Sequence, residues 1–445
     1  MLQPVKNFFH FTELKTDIRT ELVAGLTTFM AMAYIIFVNP AMISKTGMDF
    51  GAAMMATCVS AGLATILMGV YANYPIALAP GMGENAFFTY TVCLTMGISW
   101  QVALGCVFIE GVLFIILTLT KLRQAIMDSI PAPLRYSTAC GIGMLIAFIG
   151  LIDAGVIVKN PATLVGLGDL LSPPAILAGF GFLITAVMLI RKVRGAILWG
   201  ILVTAGAGMM AGLLKWQGVV SVPPSMMPTL MQMDIAGALK IGLFSIVFIF
   251  LFMDIFDTVG TLAGVAELGG FMRGGKLPNA GRAMLSDAAG TCAGAACGTP
   301  TVTAYAESAA GIASGGRSGL TSVFTGLAFL AAIFFFPLIK MIGGGCPGLD
   351  GGVLHPVTAP AMVIVGSMML HSVTKIAWKD YSESIPCFLV ILTMPFTFSI
   401  ATGIATGFIS YAALKLFTGR GKDVPWLVYL LAVLFIMRFV YLKSL

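Results

Sequence analysis

Asp254 and Asp257 interrupt an apolar stretch that runs from Ile241 to Val259. Such a stretch approaches the ~20 apolar residues that cross a bilayer. A carboxylate near the bilayer centre costs about 3 kcal/mol or more, so acids held there face a cavity and serve a function. Spacing i, i+3 puts both on one helix face. A carboxylate pair facing a polar cavity inside a membrane suits a solute or a proton.

Asn85 lies in Gly81-Met82-Gly83-Glu84-Asn85-Ala86-Phe87-Phe88. A half-helix starting near Gly83 places it in the first turn, where free N–H groups and the positive dipole end favour polar or anionic ligand groups. Its carboxamide donates and accepts at once, which suits a purine edge. The plain alternative is a helix cap that touches only backbone. Glu84 points about 100° away from Asn85 on a helix and either lines the cavity or faces a lumen.

Glu307 is the acid of the stretch Thr301–Gly311. It would sit on an opposing half-helix near the midplane and accept two N–H donors from a nucleobase edge, or carry a proton. The alternative is a carboxylate that stabilises its own helix dipole. Asp287, in Ser286-Asp287-Ala288-Ala289-Gly290, reads as packing glue between helices or as a member of a proton network. Glu110 is a further intramembrane acid with no sequence neighbours to interpret it. Phe87, Phe88 and Tyr305 are placed to stack on a base, and Thr303 joins the same candidate site. The Phe stripe at 244, 248, 252 and 256 reads as packing or a lipid-facing surface.

The elements that position these residues are membrane spans. Of 445 residues 58% are hydrophobic and 10% charged, with mean hydropathy +0.99. Soluble domains carry about 25% charged residues, so the chain is predicted to be an all-α polytopic membrane protein. The 52 glycines fit close helix packing and helix breaks in lipid. The net charge of +6 falls in short loops and does not point to nucleic acid. No cleavable signal peptide is visible; residues up to Arg19 read as a short amphipathic lead-in. Eight scattered cysteines without a CxxC read as small hydrophobes, and three distant histidines argue against a metal site. Walker, HExxH and GxSxG motifs are absent, so the sequence points to no enzyme, no ATP coupling and no cofactor.

Apolar spans fall near 20–39, 51–71, 76–95, 100–120, 134–152, 174–191, 195–214, 239–263, 283–297, 300–313, 319–339, 353–371, 385–399, 402–418 and 425–442. The third and tenth are interrupted, by Tyr74-Pro75 through Pro80-Gly81 and by Gly298-Thr299-Pro300. Each is predicted to be a short extended segment feeding a half-helix. Broken spans in matching positions of two halves point to a transporter's binding site. With the N-terminus in the cytoplasm, 18 Lys/Arg fall inside and 5 outside, with Arg438 and Lys443 unassigned. That bias supports fourteen crossings as two inverted seven-span halves. The stretch 425–442 either crosses again or lies at the interface.

Three strings then make the chain recognisable: Leu78-Ala79-Pro80-Gly81-Met82-Gly83-x-Asn85-Ala86-Phe87-Phe88, Phe252-x-Asp254-x-Phe256-Asp257-Thr258-x-Gly260-Thr261-Leu262, and Gly298-Thr299-x-x-x-Thr303-x-Tyr305-x-Glu307-Ser308-x-x-Gly311. They resemble the hypoxanthine–adenine–guanine permease family, the AzgA-like branch of the nucleobase transporter group that includes uracil permease. The opening Arg19–Phe29 is similar to that family's first span, and the resemblance covers essentially the whole chain.

The resemblance implies a 7+7 inverted repeat. Residues 1–121 and 237–341 (spans 1–4 and 8–11) would form a core domain. Residues 122–216 and 350–445 (spans 5–7 and 12–14 with the last apolar segment) would form a gate domain. The base would bind between spans 3 and 10, against span 8. Asn85, Asp257, Asp287 and Glu307 are carried over by similarity, with Asp254 close behind. The implied activity is proton symport of purine bases through an inner membrane, and dimers occur in relatives with this fold. Glu84 and Pro300 depart from the pattern, where apolar and small polar residues are usual.

The expected function is therefore uptake of guanine or hypoxanthine, with adenine open. Glu307, Asp257 and Asp287 would couple the proton, because the chain has too few histidines for the task. Its rivals are an anion or other small-solute transporter on the same fold, or a nucleobase exchanger without proton coupling. A site of acids lacking Lys or Arg would repel an anion.

Overall fold

The computed structural model describes residues 3–120, 131–240, 244–272, 277–348 and 352–441. Several residues used above for orientation lie outside these: Lys121, Arg123, Arg273, Lys276 and Lys443, as do Ile241, Gly242 and Leu243.

Span 1 is one helical run bent once, Ile18–Met32 then Ile35–Ile43. Asp17 caps its start by accepting from the Thr20 N–H at 2.9 Å. The bend falls at Ala33–Tyr34, where Ile36 and Phe37 make tight backbone bonds to Ala33 and Tyr34. Span 2 is Phe50–Leu67, capped by Asp49, and span 4 is Trp100–Leu119. Spans 5, 6 and 7 are Ala132–Asp153, Pro173–Ile190 and Ala196–Met210. Span 8, Phe244–Gly269, runs past the expected end at 263. Span 9 is Ala280–Cys297 and span 11 is Gly319–Ala332 continued to Gly343. Spans 12, 13 and 14 are Ala359–Met369, Tyr381–Thr397 and Ile400–Phe417.

Four strands matter here: β1 (Leu78–Pro80), β2 (Ile157–Asn160), β3 (Leu164–Leu167) and β4 (Val302–Ala304). β2 and β3 form an exposed hairpin between spans 5 and 6. β1 and β4 pair in the interior.

Eight helical runs among the described residues are long and apolar enough to cross a membrane by themselves. The remaining crossings are shorter or interrupted. The last apolar stretch is a helix, Trp426–Tyr441, about 24 Å long. It packs on span 14, with Phe435 and Phe408 rings 6.0 Å apart.

The helices gather in two sets. Span 11 packs on spans 1 and 2, and span 9 on spans 2 and 4. Span 5 packs on spans 12, 13 and 14, and span 6 on spans 7 and 12. Glycines allow the closest crossings. A Cβ on Gly326 in span 11 would meet the Gly62 carbonyl of span 2 at 2.6 Å, and one on Gly143 in span 5 would meet the Gly366 carbonyl of span 12 at 2.7 Å. Neither crossing tolerates a side chain, which accounts for part of the glycine content.

Two residues fasten the start of span 11. The buried Glu21 carboxylate accepts from the backbone N–H groups of Arg317 and Ser318 at 3.1 and 3.2 Å, and from the Thr321 hydroxyl at 2.5 Å. Asn73, ending span 2 with φ 56°, accepts from the Gly319 N–H at 2.7 Å. The amphipathic lead-in docks here too, with Phe9 and Phe11 buried against Leu320.

Candidate functional site

Lone strands inside a membrane need every backbone group satisfied. β1 and β4 do this first with each other, in antiparallel register Leu78↔Ala304, Ala79↔Thr303 and Pro80↔Val302. The ladder continues through Gly81 N–H to Thr301 O at 2.9 Å and Tyr305 N–H to Ala77 O at 3.0 Å.

The outer edges are served by one threonine each. Thr65 of span 2 accepts from Leu78 N–H at 2.9 Å and donates to Leu78 O at 2.8 Å. Thr291 of span 9 treats Val302 the same way, at 3.2 and 2.9 Å. Spans 2 and 9 are seven apart, so this repeated device is the inverted repeat written in hydrogen bonds. Pro75 and Pro80 explain why β1 stays extended, since each lacks an N–H and disfavours a helix before it.

Each strand leads into a half-helix. After β1 come Met82–Ala86 and then wider turns over Phe87–Thr95. After β4 comes Ser308–Ala313, only six residues. Asn85 lies in the first of these and is fully buried. Its Nδ2 reaches Pro80 O at 3.4 Å, while its Oδ1 meets no protein partner.

Glu84 folds back against Gly81 and Thr303, so its carboxyl group lies at the strand crossing, not at a lumen. One of its oxygens, Oε2, also lacks a protein partner. Glu307 is the residue just before the second half-helix, not within it. It is half-buried, and the buried Tyr34 hydroxyl donates to its Oε1 at 2.8 Å. Tyr34 stands at the bend of span 1.

Span 8 supplies the third wall. Asp257 is half-buried and interacts electrostatically with Asp254 and Glu307, and its carboxylate accepts from Thr261. Glu84 interacts with Asp257 and Asp254 in turn. The face carrying Asp257 continues through Thr261 to Gly264, at i+4 and i+7. Gly260 and Gly264 are exposed, and a Cβ at either would meet nothing within 4 Å. The adjoining row, through Asp254, Thr258, Leu262 and Val265, is buried. An accessible strip thus runs from Asp257 toward the end of the bundle that carries the N-terminus.

Behind the strip lies a buried polar knot. The Thr258 hydroxyl sits 3.2 Å from Asp254 Oδ1, 2.8 Å from Asp287 Oδ2 and 2.8 Å from Thr303 Oγ1. Glu110 interacts with Asp254 and accepts from Thr301 at 3.4 Å.

The structure thus brings together Glu84, Asn85, Asp254, Asp257, Asp287, Thr303 and Glu307, and it gives Glu110 the neighbours that its sequence lacks. Tyr305 is buried beside them, its hydroxyl on Pro80 O at 2.5 Å and its ring 6.5 Å from Tyr34. Phe87 is different: its ring packs edge-on to Phe250 in the main apolar core. The Phe stripe is also packing, with Phe252 against Phe256 and Phe408. Sequence reasoning missed Tyr34, Thr65, Thr258 and Thr291, whose signal is only a polar residue on an apolar helix.

Comparison with known proteins agrees with this architecture. Residues 19–406 match the family described as the Permease family. A Methanocaldococcus jannaschii chain with the general name permease is 54% identical, covering 99% of both chains. The adenine permease AdeP of Escherichia coli is 41% identical over 99% of this chain and 97% of its own. The guanine/hypoxanthine permease PbuG of Bacillus subtilis is 42% identical over 99% of this chain and 100% of its own. Among solved structures, the transmembrane domain of a cyanobacterium bicarbonate transporter BicA aligns with TM-score 0.66 at 14% identity, over 86% of this chain and 97% of that one. That likeness speaks for the fold alone, a polytopic membrane protein with a 7+7 repeat. With the family match spanning most of the chain and near relatives that are permeases and not enzymes, the chain belongs to the permease family, within its nucleobase-permease group.

Proposed function

We propose that the chain imports purine bases, guanine or hypoxanthine ahead of adenine, by proton symport with alternating access. The observation that carries this reading is the meeting of Glu84, Asp257 and Glu307, with Asn85 next to Glu84 on the first half-helix, its Nδ2 on Pro80 O and its buried Oδ1 without a partner among the described residues. A carboxylate accepts two adjacent N–H donors. Guanine offers such a pair on one edge and hypoxanthine offers one donor there, while adenine alternates donor and acceptor. The Asn85 carboxamide suits the carbonyl and ring nitrogen of the base. In this reading Glu307 and Asn85 hold the base, Thr303 and Tyr305 shape its seat, and Phe87 supports the seat from the core. Relatives named for adenine and for guanine/hypoxanthine bracket the same choice.

The proton is carried by Glu307 and Asp257, with Asp254 and Asp287 behind them. Protonation turns a carboxylate oxygen from acceptor to donor, so occupancy by base and by proton are linked. The set formed by spans 1–4 and 8–11 acts as the core domain, and spans 5–7 and 12–14 as the gate. The protein sits in the inner membrane with its N-terminus in the cytoplasm, so the accessible strip faces the cytoplasm. The acids disfavour an anion as substrate.

Uptake of radiolabelled guanine, hypoxanthine, adenine, uracil and sulfate into proteoliposomes, with and without an inward proton gradient, tests the reading. Gradient-stimulated uptake of guanine or hypoxanthine is the expected result. Uptake of sulfate alone, or of none, refutes it. Uptake that ignores the gradient would make the protein an exchanger. Glu307→Gln should abolish gradient-driven accumulation, and unaltered accumulation in that variant would remove Glu307 from its assigned role.

A further inference from the structure

Lys45 and Asp153 form an ion pair that joins the two sets of helices. Lys45 lies in the turn Ser44–Thr46 that ends span 1. Its Nζ sits 2.8 and 3.0 Å from the two carboxylate oxygens of Asp153, the last residue of span 5. Lys45 also donates to the Tyr90 hydroxyl of span 3 at 3.1 Å, with Nζ 5.4 Å from the ring centroid. The backbone carbonyl of Asp153 accepts from His355 N–H at 2.8 Å, just before span 12. Spans 1 and 3 of one set therefore meet spans 5 and 12 of the other at one charged point.

The other ion pairs among the described residues are local or join spans 13 and 14. Only Lys45–Asp153 crosses between the sets. The same end is closed by further contacts across the boundary. The Thr91 hydroxyl donates to Phe398 O at 2.9 Å, and the Phe398 ring lies 6.4 Å from that of Tyr90. This end is opposite to the one reached by the accessible strip below Asp257.

We propose that the Lys45–Asp153 pair is the latch that holds the site shut at the end remote from the N-terminus, and that it parts when the site opens there. The proposal rests on the alternating-access reading above. The side chains are 25% and 11% exposed, so water repays little of the attraction lost when one partner is removed. Parting the pair in the native protein requires water to enter between spans 1 and 5, which is the opening itself.

The test needs no substrate. Thr91→Cys, in a Cys93→Ser background, places a thiol at a site 3% exposed on this boundary. Its reaction with a hydrophilic maleimide is timed in purified full-length protein in nanodiscs, against the same background without the added thiol. Lys45→Met and Asp153→Asn should each speed labelling by about tenfold, because removing one partner of a largely buried pair destabilises the closed arrangement. The exchanged pair, Lys45→Asp with Asp153→Lys, should bring the rate back toward that of the parent. Rates in both single variants equal to the parent would overturn the latch, as would an exchanged pair that labels as fast as the singles. If one single variant is not monodisperse, the other carries the comparison. Faster labelling in a protein that moves no purine would sustain the latch and refute the substrate reading, so the two failures are separable.

Discussion

Replacing Thr258 by Val should loosen the interior while leaving shape nearly unchanged. The Thr258 hydroxyl has one hydrogen and three oxygen neighbours, at 2.8, 2.8 and 3.2 Å. It can donate once, to the nearer carboxylate of Asp287, and accept from Thr303. A hydrogen bond to a charged group contributes about 1.5–3 kcal/mol and one between neutral groups about 0.5–1.5 kcal/mol. Loss of both therefore costs about 2–4 kcal/mol, because valine replaces the hydroxyl with a methyl group of similar size. Thr258→Ser keeps the hydroxyl and loses one methyl group, worth about 1 kcal/mol. The assay is the apparent melting temperature of purified protein in detergent, read at one scan rate because unfolding of such proteins is usually irreversible. Val should melt clearly below Ser, and Ser near the native protein. Equal melting of the Val and Ser variants would refute the argument that this hydroxyl ties span 8 to span 9 and β4.

Two other perturbations follow from buried polar contacts. Tyr34→Phe removes only the hydroxyl that holds Glu307, so purine uptake at low substrate should fall about tenfold, the equivalent of a lost charge-assisted bond of ~1.5 kcal/mol. A rise in KM with kcat retained would mark positioning, and uptake equal to the native protein would remove Tyr34 from the site. At the junction of spans 13 and 14, the Lys415 side chain is 2% exposed and lies 3.2 Å from Glu383 and 3.9 Å from Asp380, whose side chains are 21% and 32% exposed. Lys415→Met leaves carboxylates that still reach water, at about 1 kcal/mol. Glu383→Gln leaves the buried ammonium its more distant partner and should cost more, toward ~3 kcal/mol. Thermal melting that ranks the two variants the other way would show that the lysine finds water.

Most of the spans were legible because apolar runs of bilayer length leave a strong one-dimensional signal. The two broken spans were legible for the same local reason. Pro75, Pro80, Gly81, Gly298 and Pro300 cannot continue a helix through those points, so the strand-plus-half-helix form follows from backbone chemistry. Helical spacing likewise put Asp254 and Asp257 on one side of span 8. What spacing cannot give is the partner across the gap. Tyr34 meets Glu307 at a separation of 273 residues, and Lys45 meets Asp153 at 108. Thr65 and Thr291 look like ordinary small polar residues until the strands they serve are placed beside them. Glu110 was uninterpretable alone and acquires meaning only when span 8 brings Asp254 against it. Phe87 erred the other way: an aromatic next to Asn85 looks like a stacking surface, but its helix turns it into the apolar core.

The charges themselves argue for how such a site must work. Its walls hold Glu84, Asp257 and Glu307, with Asp254, Asp287 and Glu110 behind them. The two lysines buried most deeply among the ion pairs are engaged elsewhere, Lys45 by Asp153 and Lys415 by Glu383. Ionised carboxylates crowded together repel one another strongly in a medium that screens little. Two things relieve that repulsion: protons on the carboxyl groups, or a ligand that lends N–H donors to them. In the proposed reading a donor-rich base and a proton are then partners in stabilising one arrangement of the site, and each would raise the affinity for the other by the same factor. In that reading coupled uptake needs no more than this, provided that the two ends of the bundle are not open together, with the Lys45–Asp153 pair at one end and the exposed strip below Asp257 at the other.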